Sequence, residues 1–140
     1  MKKGLAGLIR LHKWRLDEKR QILAELERLS ARLGEELADL EREVASEQIV
    51  ATEMPEAMSA YGNYATAVIA RRAKLMESRA EVEQRMKGAL DEVTVAFREL
   101  KKYEMVSDRR DRAARDTEAR QQQAVLDELG LGLFRRQEPA

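Results

Sequence analysis

Between Pro55 and Gly130 the chain has no further proline and only two glycines, Gly62 and Gly88. Apolar or aromatic side chains recur there at Val68, Leu75, Val82, Met86, Ala89, Val93, Ala96, Leu100 and Tyr103. Steps of three, four and seven residues put all of them on one narrow stripe of an α-helix, the seam of a coiled coil. A helix with one such stripe requires a partner helix.

The partner is in the same chain. From Leu5 a second seam runs through Ile9, His12, Leu16, Lys19, Leu23, Leu26, Ser30, Leu33, Leu37, Leu40, Val44, Glu47 and Ala51, broadened by Leu8, Ile22 and Leu29. Its polar members, His12, Lys19, Ser30 and Glu47, read as register devices or snorkelling side chains. Trp14 falls on the opposite face, where it reads as partial packing against neighbouring stems, with a partner anchor as the sharper alternative.

Pro55 lacks an amide proton and disfavours a helical Met54, so the first helix should stop near residues 52–54. The expected layout is one coiled-coil domain over residues 1–140: helix 1 about 5–52, a hinge about 53–60, helix 2 about 61–129 and a tail at 130–140. Folding back about that hinge makes facing residues sum to about 108, with Leu40 opposite Val68, Leu33 opposite Leu75, Leu26 opposite Val82 and Leu5 opposite Tyr103. Charge agrees with this orientation: residues 24–56 hold ten acids and three bases, residues 57–90 six bases and three acids. The fold class is therefore all-α, an elongated antiparallel two-helix coiled coil (an α-hairpin) with a C-terminal helical overhang. The overhang begins after Val106, in a stretch of mixed charges at helical spacing. Gly130 and Gly132 are the expected helix terminators, and Pro139 closes the chain.

Composition excludes most chemistry. In 140 residues, 37% are charged and six are aromatic, which suits long helices and not a compact core. No cysteine is present, so disulfides and thiolate chemistry are out, and a single histidine makes a metal site a poor reading. There is no glycine-rich phosphate loop and no nucleophile elbow. Acid pairs such as Glu35-Glu36 and Asp127-Glu128 read as solvated charges. Arg71-Arg72 and Arg109-Arg110 lack the interleaved aromatics of a nucleic-acid surface, and the formal net charge is zero. The residues point to a protein that is not an enzyme, has no cofactor and binds no nucleic acid. The apolar patch Gly4 to Ile9 imitates a secretory signal but is cut off by Arg10, Lys13 and Arg15, and no stretch approaches the roughly 20 apolar residues of a membrane span. The chain reads as cytoplasmic.

Residues 96–109, Ala-Phe-Arg-Glu-Leu-Lys-Lys-Tyr-Glu-Met-Val-Ser-Asp-Arg, followed by Arg120-Gln121-Gln122-Gln123-Ala124-Val125-Leu126-Asp127-Glu128, resemble the carboxy-terminal half of the FliJ family of flagellar type III export proteins. Arg120, Gln123, Leu126, Asp127 and Glu128 match the family's ending, and Gln122 stands where a glutamate is common. The resemblance implies a coupling rod of flagellum biogenesis and motility, similar to the stalk of a rotary ATPase. Its implied partners are the hexameric export ATPase, the export gate membrane protein and export chaperones. It would be monomeric on its own and peripheral at the inner face of the cell membrane. By analogy and geometry, the overhang residues Arg109, Arg110, Arg112, Arg120, Gln123, Leu126, Asp127 and Glu128 are candidates for the ATPase. Tyr61, Tyr64 and Ile69, at the hinge end, are candidates for the gate or chaperones. The competing reading is a generic coiled-coil oligomerisation or scaffold module, which sedimentation would separate from a monomeric hairpin.

Overall fold

The computed structural model describes residues 2–137, in the order α1 (Lys2–Glu53), a short 3₁₀ turn (Pro55–Ala57) and α2 (Met58–Gln137). The chain is all-α, with two long helices packed antiparallel. The break between them follows from one residue. Met54, immediately before the proline, is extended at φ −121°, ψ 100°, the conformation to which a following pyrrolidine ring pushes its neighbour. The Met54 amide still donates to the Val50 carbonyl at 3.0 Å, so α1 completes its last turn before the chain reverses. Pro55 then opens the 3₁₀ turn, where its missing amide leaves no orphan donor.

Two compact units make up the molecule: Trp14–Phe97, and the described parts of Met1–Lys13 together with Arg98–Ala140. In Trp14–Phe97 the core consists of Leu16, Leu40 and Ala51 from α1 and Val82 and Ala89 from α2. Leu23, Leu26, Leu33, Leu37 and Val44 on one side, and Val68, Leu75, Met86, Val93 and Ala96 on the other, are half-buried around it. A two-helix seam cannot cover its side chains further, because only one neighbour is present. Full burial of a Leu or Val stabilises by roughly 1.5–3 kcal/mol, so Leu16, Leu40 and Val82 each contribute on that scale and the half-buried positions add smaller amounts.

Ion pairs report the antiparallel direction. Lys19 Nζ lies 3.2 Å from Glu92 Oε2, and Arg72 Nη2 lies 3.7 Å from Glu41 Oε1. The second pair joins the acidic part of α1 to the basic part of α2. Both are exposed and contribute about 0–1 kcal/mol each; their content is orientation. Lys19 behaves as a snorkelling seam residue, its stem half-buried and its ammonium at the carboxylate. Glu47, by contrast, is exposed and has left the seam, since a carboxylate near the hinge end of the pair keeps its water instead of burying a charge.

In the other unit, Leu100 is buried, and Leu5, Ile9, His12, Tyr103, Val106 and Ser107 are half-buried. Tyr103 stacks on His12 with ring centroids 4.7 Å apart. That is seven residues along α1 from the expected partner, Leu5. A seam repeats every heptad, so the sequence pattern alone admits either register; the chain reverses at Pro55–Ala57, beyond the reversal between Thr52 and Glu56 that was expected.

Two boundaries also differ. α2 begins at Met58 and runs straight through Gly62-Asn63, so the break is shorter than residues 53–60. Gly130 and Gly132 do not terminate α2, which continues to Gln137. No glycine among the described residues has a positive φ, the left-handed conformation through which a glycine ends a helix. The expected tail is thus helical as far as it is described, and Pro139 lies outside the described residues.

Candidate partner-binding surfaces

Residues 57–70 contain no charged side chain, in a chain that is 37% charged. They form the 3₁₀ end and the first turns of α2. Without long charged stems to cover them, the apolar side chains around the break stay open: Ile49, Val50, Met54, Met58 and Ile69 are all exposed, Ile69 to 69%. Beside them, Tyr61, Tyr64, Val68 and Ile69 of α2 and Leu40, Val44 and Gln48 of α1 line a cleft of about 300 Å³, with Glu41 and Arg72 at its edge. The three sequence candidates Tyr61, Tyr64 and Ile69 are therefore brought together. The rings of Tyr61 and Tyr64 meet at 6.0 Å with a 44° tilt. Sequence reasoning missed the exposed Ile49, Val50, Met54 and Met58; only Met58 lies in the charge-free run, and the signal for the other three is that they fall off the α1 seam beside the break at Pro55.

Tyr64 is the electrostatically unusual group. Its hydroxyl oxygen is buried and has no hydrogen-bond partner of normal geometry among the described residues. Desolvation, and then the negative fields of Glu43 and Glu47, raise its pKa above the ordinary 10.0. It stays a neutral phenol that faces the Glu43 carboxylate.

The second group of candidates lies on α2 beyond Ser107. Every described residue from Asp108 to Gln137 is exposed, so this stretch of α2 has no helix packed along it. Local bonds support it instead. Arg115 Nε donates to the Asp111 carbonyl at 3.4 Å, and Gln123 Nε2 donates to Asp127 Oδ1 at 3.0 Å, both one turn apart. Arg109, Arg110, Arg112, Arg120 and Glu128 are open to solvent. Leu126 shares a shallow surface with Val125, Gln121, Gln122 and Glu118, and Leu129, Leu131, Leu133 and Phe134 are exposed beyond it. Of the ending Arg120, Gln123, Leu126, Asp127 and Glu128, only Gln123 and Asp127 are joined by a hydrogen bond described in the structure.

Chemistry has little to work with on either surface. Among the described residues no group of three or more His, Asp or Glu is placed to hold a metal ion, and no helix is long and apolar enough to cross a membrane. Paired long helices that offer exposed stripes, with acids and bases on solvated faces, define an all-α helical-hairpin protein. The family model described as flagellar FliJ protein matches residues 1–139. The chain belongs to the FliJ family and is a component of the flagellar protein export apparatus. No curated protein and no solved structure is similar enough to count as a match.

Proposed function

We propose that this chain is the non-enzymatic coupling component of flagellar export, a cytoplasmic protein peripheral at the inner face of the cell membrane. In this reading, α2 from Asp108 onward engages the export ATPase ring through Arg109, Arg110, Arg112 and the ending Arg120 to Glu128. The cleft of Tyr61, Tyr64 and Ile69 takes the export gate protein or an export chaperone. One observation supports the reading above the others: α2 loses its helical neighbour after Ser107 yet continues as helix to Gln137 with every side chain exposed. Ordered helix with no second helix packed along it is what a ring or groove can grip.

The test is deletion of residues 108–140. The two seams survive that deletion, so helical pairing within Trp14–Phe97 should persist while affinity for the purified export ATPase falls and swimming of a deletion strain is not restored. Charge reversal at Arg109, Arg110 and Arg112 should lower the association rate and its salt dependence, as rim charges do. A truncated chain that binds the ATPase as tightly as the full chain and restores swimming rejects this assignment.

A further inference from the structure

Residues 43–70, the longest run of the chain without a base, hold four acids, Glu43, Glu47, Glu53 and Glu56. They make up the hinge end of Trp14–Phe97. At the borders of the run stand Arg42, which is engaged with Asp39, and Arg71, followed by Arg72, which pairs with Glu41 at 3.7 Å. The same end carries the exposed apolar side chains Ile49, Val50, Met54, Met58 and Ile69. Met58 and Ile69 are eleven residues apart, about three turns, and so share one side of α2. On that side Ala65 and Ile69 line the cleft together with Val44 and Gln48 of α1. From the Glu41–Arg72 pair to the tip, the floor of this slot is therefore apolar or uncharged. The pKa of Tyr64, another cleft residue, is raised by desolvation and then by Glu43 and Glu47, so the negative field of α1 reaches the cleft wall.

We propose that the hinge-end cleft takes a basic amphipathic helix of a protein partner, its apolar stripe seated beside Met58 and Ile69 and its Lys and Arg side chains facing Glu47, Glu53 and Glu56. This occupant deepens the assignment of the cleft made above and rests on it. Apolar anchors supply the docking, as a helix laid in a groove does, and flexible methionines at the rim adapt to their shape. Charge chooses the partner. Against a run of acids without a base, an acidic helix meets repulsion and a basic one attraction. The same sign turns away an anionic lipid surface. A second copy of this end is turned away too, because like charges would be juxtaposed.

The probes are two dye-labelled synthetic helical peptides with leucines at amphipathic spacing, one carrying lysines on its polar face and the other glutamates. At low salt the lysine peptide should bind full-length protein more than about tenfold tighter than the glutamate peptide, and added salt should weaken it. Glu47→Lys with Glu53→Lys should weaken binding about tenfold, and Met58→Ser with Ile69→Ser by a similar factor, both with unchanged helicity by circular dichroism. All four positions are exposed. The same charge change away from the tip, at the exposed pair Glu35→Lys with Glu36→Lys, should leave binding as it was. Equal binding of the two peptides, no binding of either, or an equal loss from the Glu35 and Glu36 changes overturns the proposal. Purified gate protein or chaperone separates this failure from that of the cleft assignment. Binding that falls with Met58→Ser and Ile69→Ser but ignores Glu47→Lys and Glu53→Lys overturns the basic occupant and keeps the cleft; binding indifferent to both pairs overturns both.

Discussion

The His12 imidazole lies on the Tyr103 ring, centroids 4.7 Å apart and planes inclined by only 21°. One ring comes from a seam position read as a polar interruption, the other from the last aromatic of the opposing seam. The pair marks which heptad of α1 meets which heptad of α2 in this unit, a choice that Leu and Val at the seam positions leave open.

If the stack selects the register, breaking it should cost more than lost area. His12→Ala and Tyr103→Ala should each destabilise, and their double-mutant cycle should give a coupling of about 0.5–1.5 kcal/mol. Denaturant unfolding followed by circular dichroism measures it. Strict additivity of the two substitutions would show that the rings merely adjoin.

Leu40 is 3% exposed, and Leu126 is 60% exposed. Leu40→Ala should therefore destabilise by about 2–5 kcal/mol, whereas Leu126→Ala should change stability by no more than about 0.5 kcal/mol. Equal effects in thermal melts would contradict the burial described for the two helices.

Gly88 sits inside α2 with nothing within 4 Å of where a β-carbon would stand and without a positive φ. Gly88→Ala should raise stability by about 0.5–1 kcal/mol, the helix-interior cost of glycine. A lower midpoint in urea would mean that the position needs the absent side chain.

Tyr64 gives a pH prediction. Its raised pKa means that the folded state holds the phenolic proton more tightly than the unfolded chain does. The contribution is fully present below pH 10.0 and is lost as pH rises through the folded pKa. Phenolate absorbance should show one of the three tyrosines ionising above the normal range, and Tyr64→Phe should remove that component. Because no hydrogen bond of normal geometry reaches the buried hydroxyl, the same substitution should not lower stability at neutral pH. A clear loss there would place an acceptor on that oxygen.

Seam membership was legible in the residues because it depends only on period. Each member of the α2 stripe from Val68 to Tyr103 is buried or half-buried, and on α1 only Glu47 escapes. Pro55 was legible because a pyrrolidine ring acts on its immediate neighbour, and Met54 took the extended conformation that this requires. Register was not, since a heptad pattern looks the same after a shift of seven. Nor was the continuation of α2 through Gly130 and Gly132: glycine permits a left-handed cap without enforcing one, and its interior cost of about 1 kcal/mol does not by itself end a helix. The candidate surfaces were only half legible. Tyr61, Tyr64 and Ile69 stood out as aromatic and apolar residues near a turn, but the arrival of Leu40, Val44 and Gln48 beside them depended on the fold-back.

From Asp108 to Gln137 the helix owes nothing to tertiary packing, which gives it a thermal personality of its own. A helix held only by neighbours one turn away frays from its free end and melts over a broad range, whereas paired helices come apart together. Backbone amides of that stretch should exchange with solvent orders of magnitude faster than those around Leu40 or Val82. Occupancy by a partner would then appear as a gain of protection along thirty residues whose own contacts supply none, and the pattern of slowed amides would trace which turns the partner holds.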